Sequence, residues 1–160
     1  MDKTSKARLA AFLVAAKHRT YAGLDDDATV ASPVFRGSKQ LEYGEHDLRY
    51  RDIYFGMAFF VGQETVTANA RVIWSMSYSG GVSPDITDRG RFLAIYTFLR
   101  RALLTVDEAY PFRGPAQFEQ GDFRYINASE GDISAFHGSE HIDNGATRVY
   151  SLRYSGGIIR

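Results

Sequence analysis

The second half of this chain rewrites its first half, and no other feature narrows the available folds as much. Adding 76 to the numbers of Phe60, Gly62, Glu64 and Val66 gives Phe136, Gly138, Glu140 and Ile142. The same shift carries Trp74 and Ser75 onto Tyr150 and Ser151, and Tyr78-Ser79-Gly80-Gly81-Val82 onto Tyr154-Ser155-Gly156-Gly157-Ile158. Asp47-Leu48-Arg49-Tyr50 matches Asp122-Phe123-Arg124-Tyr125 at a shift of 75, and Phe35-Arg36-Gly37 matches Phe112-Arg113-Gly114 at 77. Single-residue loop insertions produce such drift. The expectation is one domain over residues 1–160 built of two repeats, about 5–82 and 87–160.

Each repeat opens on a helical pattern. Leu9, Phe12, Leu13 and Ala16 fall at i, i+3, i+4 and i+7, with Thr4 or Ser5 ahead as cap. Phe92, Ile95, Tyr96, Leu99 and Leu103 repeat the stripe, with Pro84, Asp85 and Thr87 supplying the break and the cap. Residues from about 23 to 33 read as a loop, with Asp25, Asp26 and Asp27 as turn formers. Three alternating, aromatic and β-branched stretches follow each helix: 47–55, 57–67 and 71–79, then 122–127, 133–142 and 147–155. Asn69 and Asn144-Gly145 sit where hairpins should turn. The fold class read from this pattern is α+β: an internally duplicated helix plus three-strand antiparallel meander, with helices packed on the sheet.

Composition removes several classes of function. The chain has no cysteine, which excludes disulfides, thiolate metal sites and a Cys nucleophile. Its 19 basic residues balance 19 acidic ones without a long single-sign block, so nucleic acid is not an expected partner. The apolar run Leu9–Ala16 is followed by Lys17-His18-Arg19 where a signal peptide needs small residues, and no stretch approaches the ~20 apolar residues of a membrane span. A cytoplasmic location without membrane contact is the expectation.

Period-two spacing puts Glu64 on one strand face with Phe60, Gly62 and Val66, and Glu140 with their counterparts. A carboxylate among apolar residues must be paired, protonated or used. The functional reading places it beside space left by Gly62 or Gly138; the structural reading pairs it with Arg49 or Arg124, or moves it outward on a bulge. Asp52 faces Asn127 in the repeat and shares a face with Tyr50, so it could form an acid–base pair with Glu64; the plainer reading is a turn or edge residue. His137 and His141 stand ~13 Å apart along a strand, too far to chelate one ion, and no metal site is expected. The Ser-Gly-Gly pairs lack a helix directly after them, so close backbone approach explains them better than a phosphate cradle. No motif calls for a cofactor.

The stretches Phe12-Leu13-Val14-Ala15-Ala16-Lys17, Asp52-Ile53-Tyr54-Phe55-Gly56, Phe60-Val61-Gly62-Gln63-Glu64 and Tyr110-Pro111-Phe112-Arg113-Gly114-Pro115 resemble a bacterial domain family of unknown function, DUF5680. Gly121-Asp122-Phe123-Arg124-Tyr125-Ile126-Asn127 and Gly131-Asp132 extend the resemblance over nearly the whole chain. Members also occur behind helix-turn-helix domains of bacterial regulators, which implies ligand sensing or partner binding. The resemblance supplies no catalytic residues.

The leading expectation is a non-catalytic domain that binds or senses a small molecule or peptide at the junction of the halves. Its expected contacts are Tyr50, Asp52, Glu64, Trp74 and Tyr78, a few polar groups among aromatic walls. The alternatives are an acid–base enzyme using Asp52 and Glu64 on a small polar substrate, and a self-associating (homo-oligomeric) or partner-binding protein that uses a sheet edge. Any pocket should favour the first half, where Asp52 stands for Asn127 and Trp74 for Tyr150.

Overall fold

The structure, a computed structural model, describes residues 3–20, 29–30 and 32–160. The turn expected at Asp25, Asp26 and Asp27 lies outside these. In chain order the elements are α1 (Lys3–Arg19), β1 (Lys39–Glu45), β2 (Leu48–Gly56), β3 (Phe59–Ala68), β4 (Arg71–Val82), α2 (Arg89–Leu103), β5 (Gln117–Gln120), β6 (Phe123–Asp132), β7 (Ala135–Asn144) and β8 (Thr147–Ile158). The eight strands form one antiparallel sheet in the order β1-β2-β3-β4-β8-β7-β6-β5, and the class is α+β.

Each run of strands holds four members, one more than the sequence pattern suggests. The additions, β1 and β5, are the two sheet edges. β1 is rich in polar and charged residues and β5 is only 4 residues long, which hides the alternation that marks interior strands. Short or charged edges are also how sheets avoid pairing with other chains.

Burial alternates along the interior strands, and one face of the sheet takes the whole core. Leu48, Tyr50, Val66, Trp74, Met76, Tyr78, Tyr125, Ile142, Tyr150, Leu152 and Tyr154 join Leu9, Phe12, Leu13 and Ala16 of α1 and Ile95, Phe98 and Leu99 of α2 in one cluster. Both helices therefore cover the same face. Each fully buried side chain of this kind contributes roughly 1.5–3 kcal/mol, which outweighs the modest intrinsic preference of either helix. The opposite face carries Arg49, Arg51, Ser77, Ser79, Arg153 and Ser155 into solvent.

Helix α1 begins at Lys3, ahead of Thr4 and Ser5. Helix α2 is capped by Asp88, not by Asp85 or Thr87: the Asp88 carboxylate accepts a hydrogen bond from Arg91 N at 2.8 Å. Asp88 stands three residues before that amide, the spacing that a cap requires. Each helix packs on its own outer strands and also reaches the other half. Lys6 lies 3.4 Å from Asp132 at the β6–β7 turn, and Tyr96 donates to Met57 O at the β2–β3 turn, 2.8 Å away.

The two runs meet where β4 pairs with β8, with Tyr78 opposite Tyr154. Glycines make that seam. A Cβ on Gly80 would lie 2.3 Å from Ser151 O, and one on Gly156 would lie 2.3 Å from Ser75 O. Among the described residues no helix is long and apolar enough to cross a membrane.

Candidate functional site

Antiparallel register brings the polar residues of the core face together. Asp52 lies opposite Glu64 and Gly62 opposite Tyr78; across the seam, Asn127 lies opposite Glu140 and Gly138 opposite Tyr154. The space at each glycine is taken by a tyrosine ring: a Cβ at Gly62 would stand 2.4 Å from the Tyr78 ring, and one at Gly138 2.4 Å from that of Tyr154. Each tyrosine lies across its glycine and donates to the strand beyond. Tyr78 donates to Asp52 Oδ1 at 2.6 Å and Tyr154 to Asn127 Oδ1 at 2.8 Å. The glycines thus seat tyrosines and leave no room for a ligand beside Glu64 or Glu140.

Neither glutamate pairs with Arg49 or Arg124. Those arginines lie on the solvent face, where Arg49 donates to His46 O and Leu48 O and Arg124 approaches Glu119 at 3.3 Å. Strand parity dictates this, because Arg49 is an odd number of residues from Asp52. Glu64 instead accepts a 2.5 Å hydrogen bond from Lys17 of α1, with both side chains wholly buried. The sequence held that signal: Lys17 stands four residues beyond Leu13 on the apolar stripe. Glu140 is bound more fully. Arg113 donates to both of its oxygens, at 3.1 and 2.7 Å, and Tyr125 and Tyr150 add bonds at 2.6 and 3.0 Å. Among the described residues, Glu64 Oε1 and Trp74 Nε1 find no hydrogen-bond partner, although both are buried.

The halves also differ in what covers them. Phe112 stacks on Phe136 with ring centroids 3.8 Å apart, and Phe136 stacks in turn on Trp74 at 5.8 Å. Phe35, which the repeat aligns with Phe112, lies instead beside Phe55 and is 55% exposed. Phe60, aligned with Phe136, is left to line a cavity of ≈ 270 Å³ between α2 and strands β2–β4. Its walls include Tyr54, Phe60, Tyr78, Phe92 and Tyr96, with Asp52, Lys39, Arg100 and Arg113 as charged groups. The Arg113 guanidinium stands 5.6 Å from the centre of the Tyr78 ring, a cation–π distance.

Of the five residues expected at a site, Asp52 and Tyr78 line this cavity. Tyr50, Glu64 and Trp74 do not: they are buried in the core, and Trp74 is sealed beneath Phe136. Asp52 and Glu64 share a sheet face but do not open into one cleft: Glu64 is wholly buried against Lys17, and Asp52 borders the cavity. Tyr54, Phe60 and Tyr96 carry the features of a core in the sequence and Arg113 those of a loop, and only their placement around a void distinguishes them. His137 and His141 sit on the far face of the sheet beside Glu130 and Asp143, at 3.6 Å each.

Burial raises the Asp52 carboxyl from its ordinary 3.8 to about 7, with the nearby Glu64 charge adding to the effect. The Tyr78 hydrogen bond and the Lys17 and Arg113 charges oppose it. Burial likewise lowers Lys17, against the pull of Glu64, and holds Tyr78 well above the usual phenol range, with Asp52 contributing. Near neutral pH, Asp52 is therefore poised to donate or to accept a proton.

Between about 4 and 7 the folded state holds a proton on Asp52 that the unfolded state has lost, so this group's contribution to stability falls as pH rises, by up to ~1.4 kcal/mol per pH unit, then levels. Asp52→Asn should gain stability relative to the parent across that window and keep the gain at pH 8. Urea melts of both proteins at pH 5 and pH 8 measure the difference. A gap that does not widen with pH contradicts a raised Asp52.

A family model described as a domain of unknown function (DUF5680) matches residues 52–159. The span takes in every wall of the cavity except Lys39 and leaves Phe12–Lys17 outside. No curated protein and no solved structure matches the chain.

Proposed function

The chain belongs to the DUF5680 domain family, and we propose that it is a binding or sensing domain whose ligand is a small molecule held between α2 and strands β2–β4. One observation carries the reading: an aromatic-walled cavity with a buried carboxyl, Asp52, in its lining. Its ≈ 270 Å³ lies just below the ~300–1,000 Å³ usual for small-molecule sites, which favours a metabolite over a peptide.

Internal duplication followed by divergence accounts for the site. The equivalent glycine, tyrosine and glutamate positions, and the bulges after Val66 and Ile142, support an ancestral unit present twice. In the second half Asn127 replaces the titratable Asp52, and Phe112 covers the phenylalanine that remains uncovered in the first.

Native mass spectrometry of protein purified without harsh washing, followed by metabolite identification, tests the reading. A small molecule retained by the parent and lost from Asp52→Asn, while that variant stays folded, is the expected result. Retention by both proteins places the ligand elsewhere, and a cavity that accepts nothing from a broad metabolite panel removes the reading. The same spectra report assembly mass. This matters because Phe35, Phe55, Phe59 and Val61 are exposed near one another and favour a second reading, self-association, which a purely monomeric protein rules out.

A further inference from the structure

The charges around the cavity narrow the ligand further than its volume does. Lys39, at the start of β1, and Arg100, in the last turn of α2, both line it. Among the described residues neither has a carboxylate partner; Lys39 has only the Tyr54 ring, 6.0 Å from its ammonium. Arg113, the third cation, is already neutralised by its two bonds to Glu140. Among the described residues, Asp52 is the one acidic residue in the lining, and its carboxyl accepts one hydrogen bond, from Tyr78 onto Oδ1. The lining thus combines apolar ring faces, a carboxyl able to accept a hydrogen bond, and two cations without a carboxylate partner among the described residues.

The geometry points to a small aromatic or heteroaromatic carboxylate carrying an N–H or O–H donor as the class of ligand: its ring lies among Tyr54, Phe60 and Tyr96, its donor meets Asp52, and its carboxylate meets Lys39 and Arg100. This rests on the cavity being the binding site. Ring faces in an aromatic-walled slot select a flat body over an aliphatic one. The guanidinium of Arg100 offers a planar fork that suits a carboxylate, and an ammonium of matching size would meet two cations against one acid. A neutral ligand would leave both cations as it found them, so the carboxylate distinguishes this proposal from simple hydrophobic capture. The second half makes the contrast within one molecule, with an amide at Asn127 and Phe112 stacked where a ring could lie.

The test titrates the full chain with 4-hydroxybenzoate and indole-3-carboxylate, each beside its neutral amide and the matching amine, and follows Tyr54, Tyr78 and Tyr96 by NMR. The acids should shift these resonances and bind roughly tenfold or more tightly than the amides, with the amines weakest. The double substitution Lys39→Gln, Arg100→Gln alters two exposed side chains and should abolish the preference for acid over amide. Acids and amides of equal affinity, or a preference that survives the double substitution, overturn the ligand class while leaving the cavity as a binding site. Failure of acids, amides and amines alike to shift the three tyrosines overturns it too, and the metabolite panel then decides whether the cavity binds anything.

Discussion

Arg113→Met is expected to destabilise the fold by about 3–5 kcal/mol, because it leaves the Glu140 carboxylate buried without its counter-charge. Arg113 is 4% exposed and supplies two of the four hydrogen bonds that Glu140 receives from described residues. The two tyrosine hydroxyls that remain cannot balance a full charge. Repairing the pair from the other side should recover much of the loss: in Arg113→Met, Glu140→Gln, the buried charge is gone and an amide faces Tyr125 and Tyr150. Equilibrium urea unfolding of both variants measures this. A double variant no more stable than the single would show that packing of the Arg113 stem, and not charge compensation, dominates.

Phe112→Ala should be comparable, at ~3–5 kcal/mol, for a different reason. Its ring is 2% exposed and stacks at 3.8 Å on Phe136, which itself lies over Trp74. Removing it deletes buried area and leaves a void in a core that collapses only in part. The void would expose Phe136 much as Phe60 is exposed to the first-half cavity. Unfolding melts give the energy, and a rise in the accessibility of Trp74 to acrylamide quenching reports the opening. Full stability with unchanged quenching would mean that the second half does not depend on this ring, and the proposed contrast between the halves would lose its basis.

These effects depend on residues whose roles were legible in the sequence to different degrees. The stripe Leu9, Phe12, Leu13 and Ala16 and the alternation around Trp74, Met76 and Tyr78 report their own burial, because a period of 3.6 or 2 is a local property. The repeat fixed the equivalence of Glu64 and Glu140. Their partners were another matter. Lys17 sits on a helix and Arg113 in a loop, and which cation reaches which carboxylate depends on how α1 and the loop after α2 dock. Strand parity could have excluded Arg49 and Arg124; it could not have nominated their replacements. The edge strands were hidden by their own polarity, since an edge has little burial to impose a pattern.

The chain alone therefore determined the α+β class, the register of faces on the interior strands and the presence of an acid, Asp52, at a position where the other half carries an amide. Local periodicity and an internal comparison suffice for all three. Only the tertiary structure decided that Glu64 and Trp74 are sealed while Asp52 and Tyr78 border open space. Phe60 and Phe136 occupy matching places in the repeat, yet one lines a cavity and the other lies under Phe112. A cavity is a property of what fails to fill a volume, and the residues that could fill it come from segments far apart in the chain.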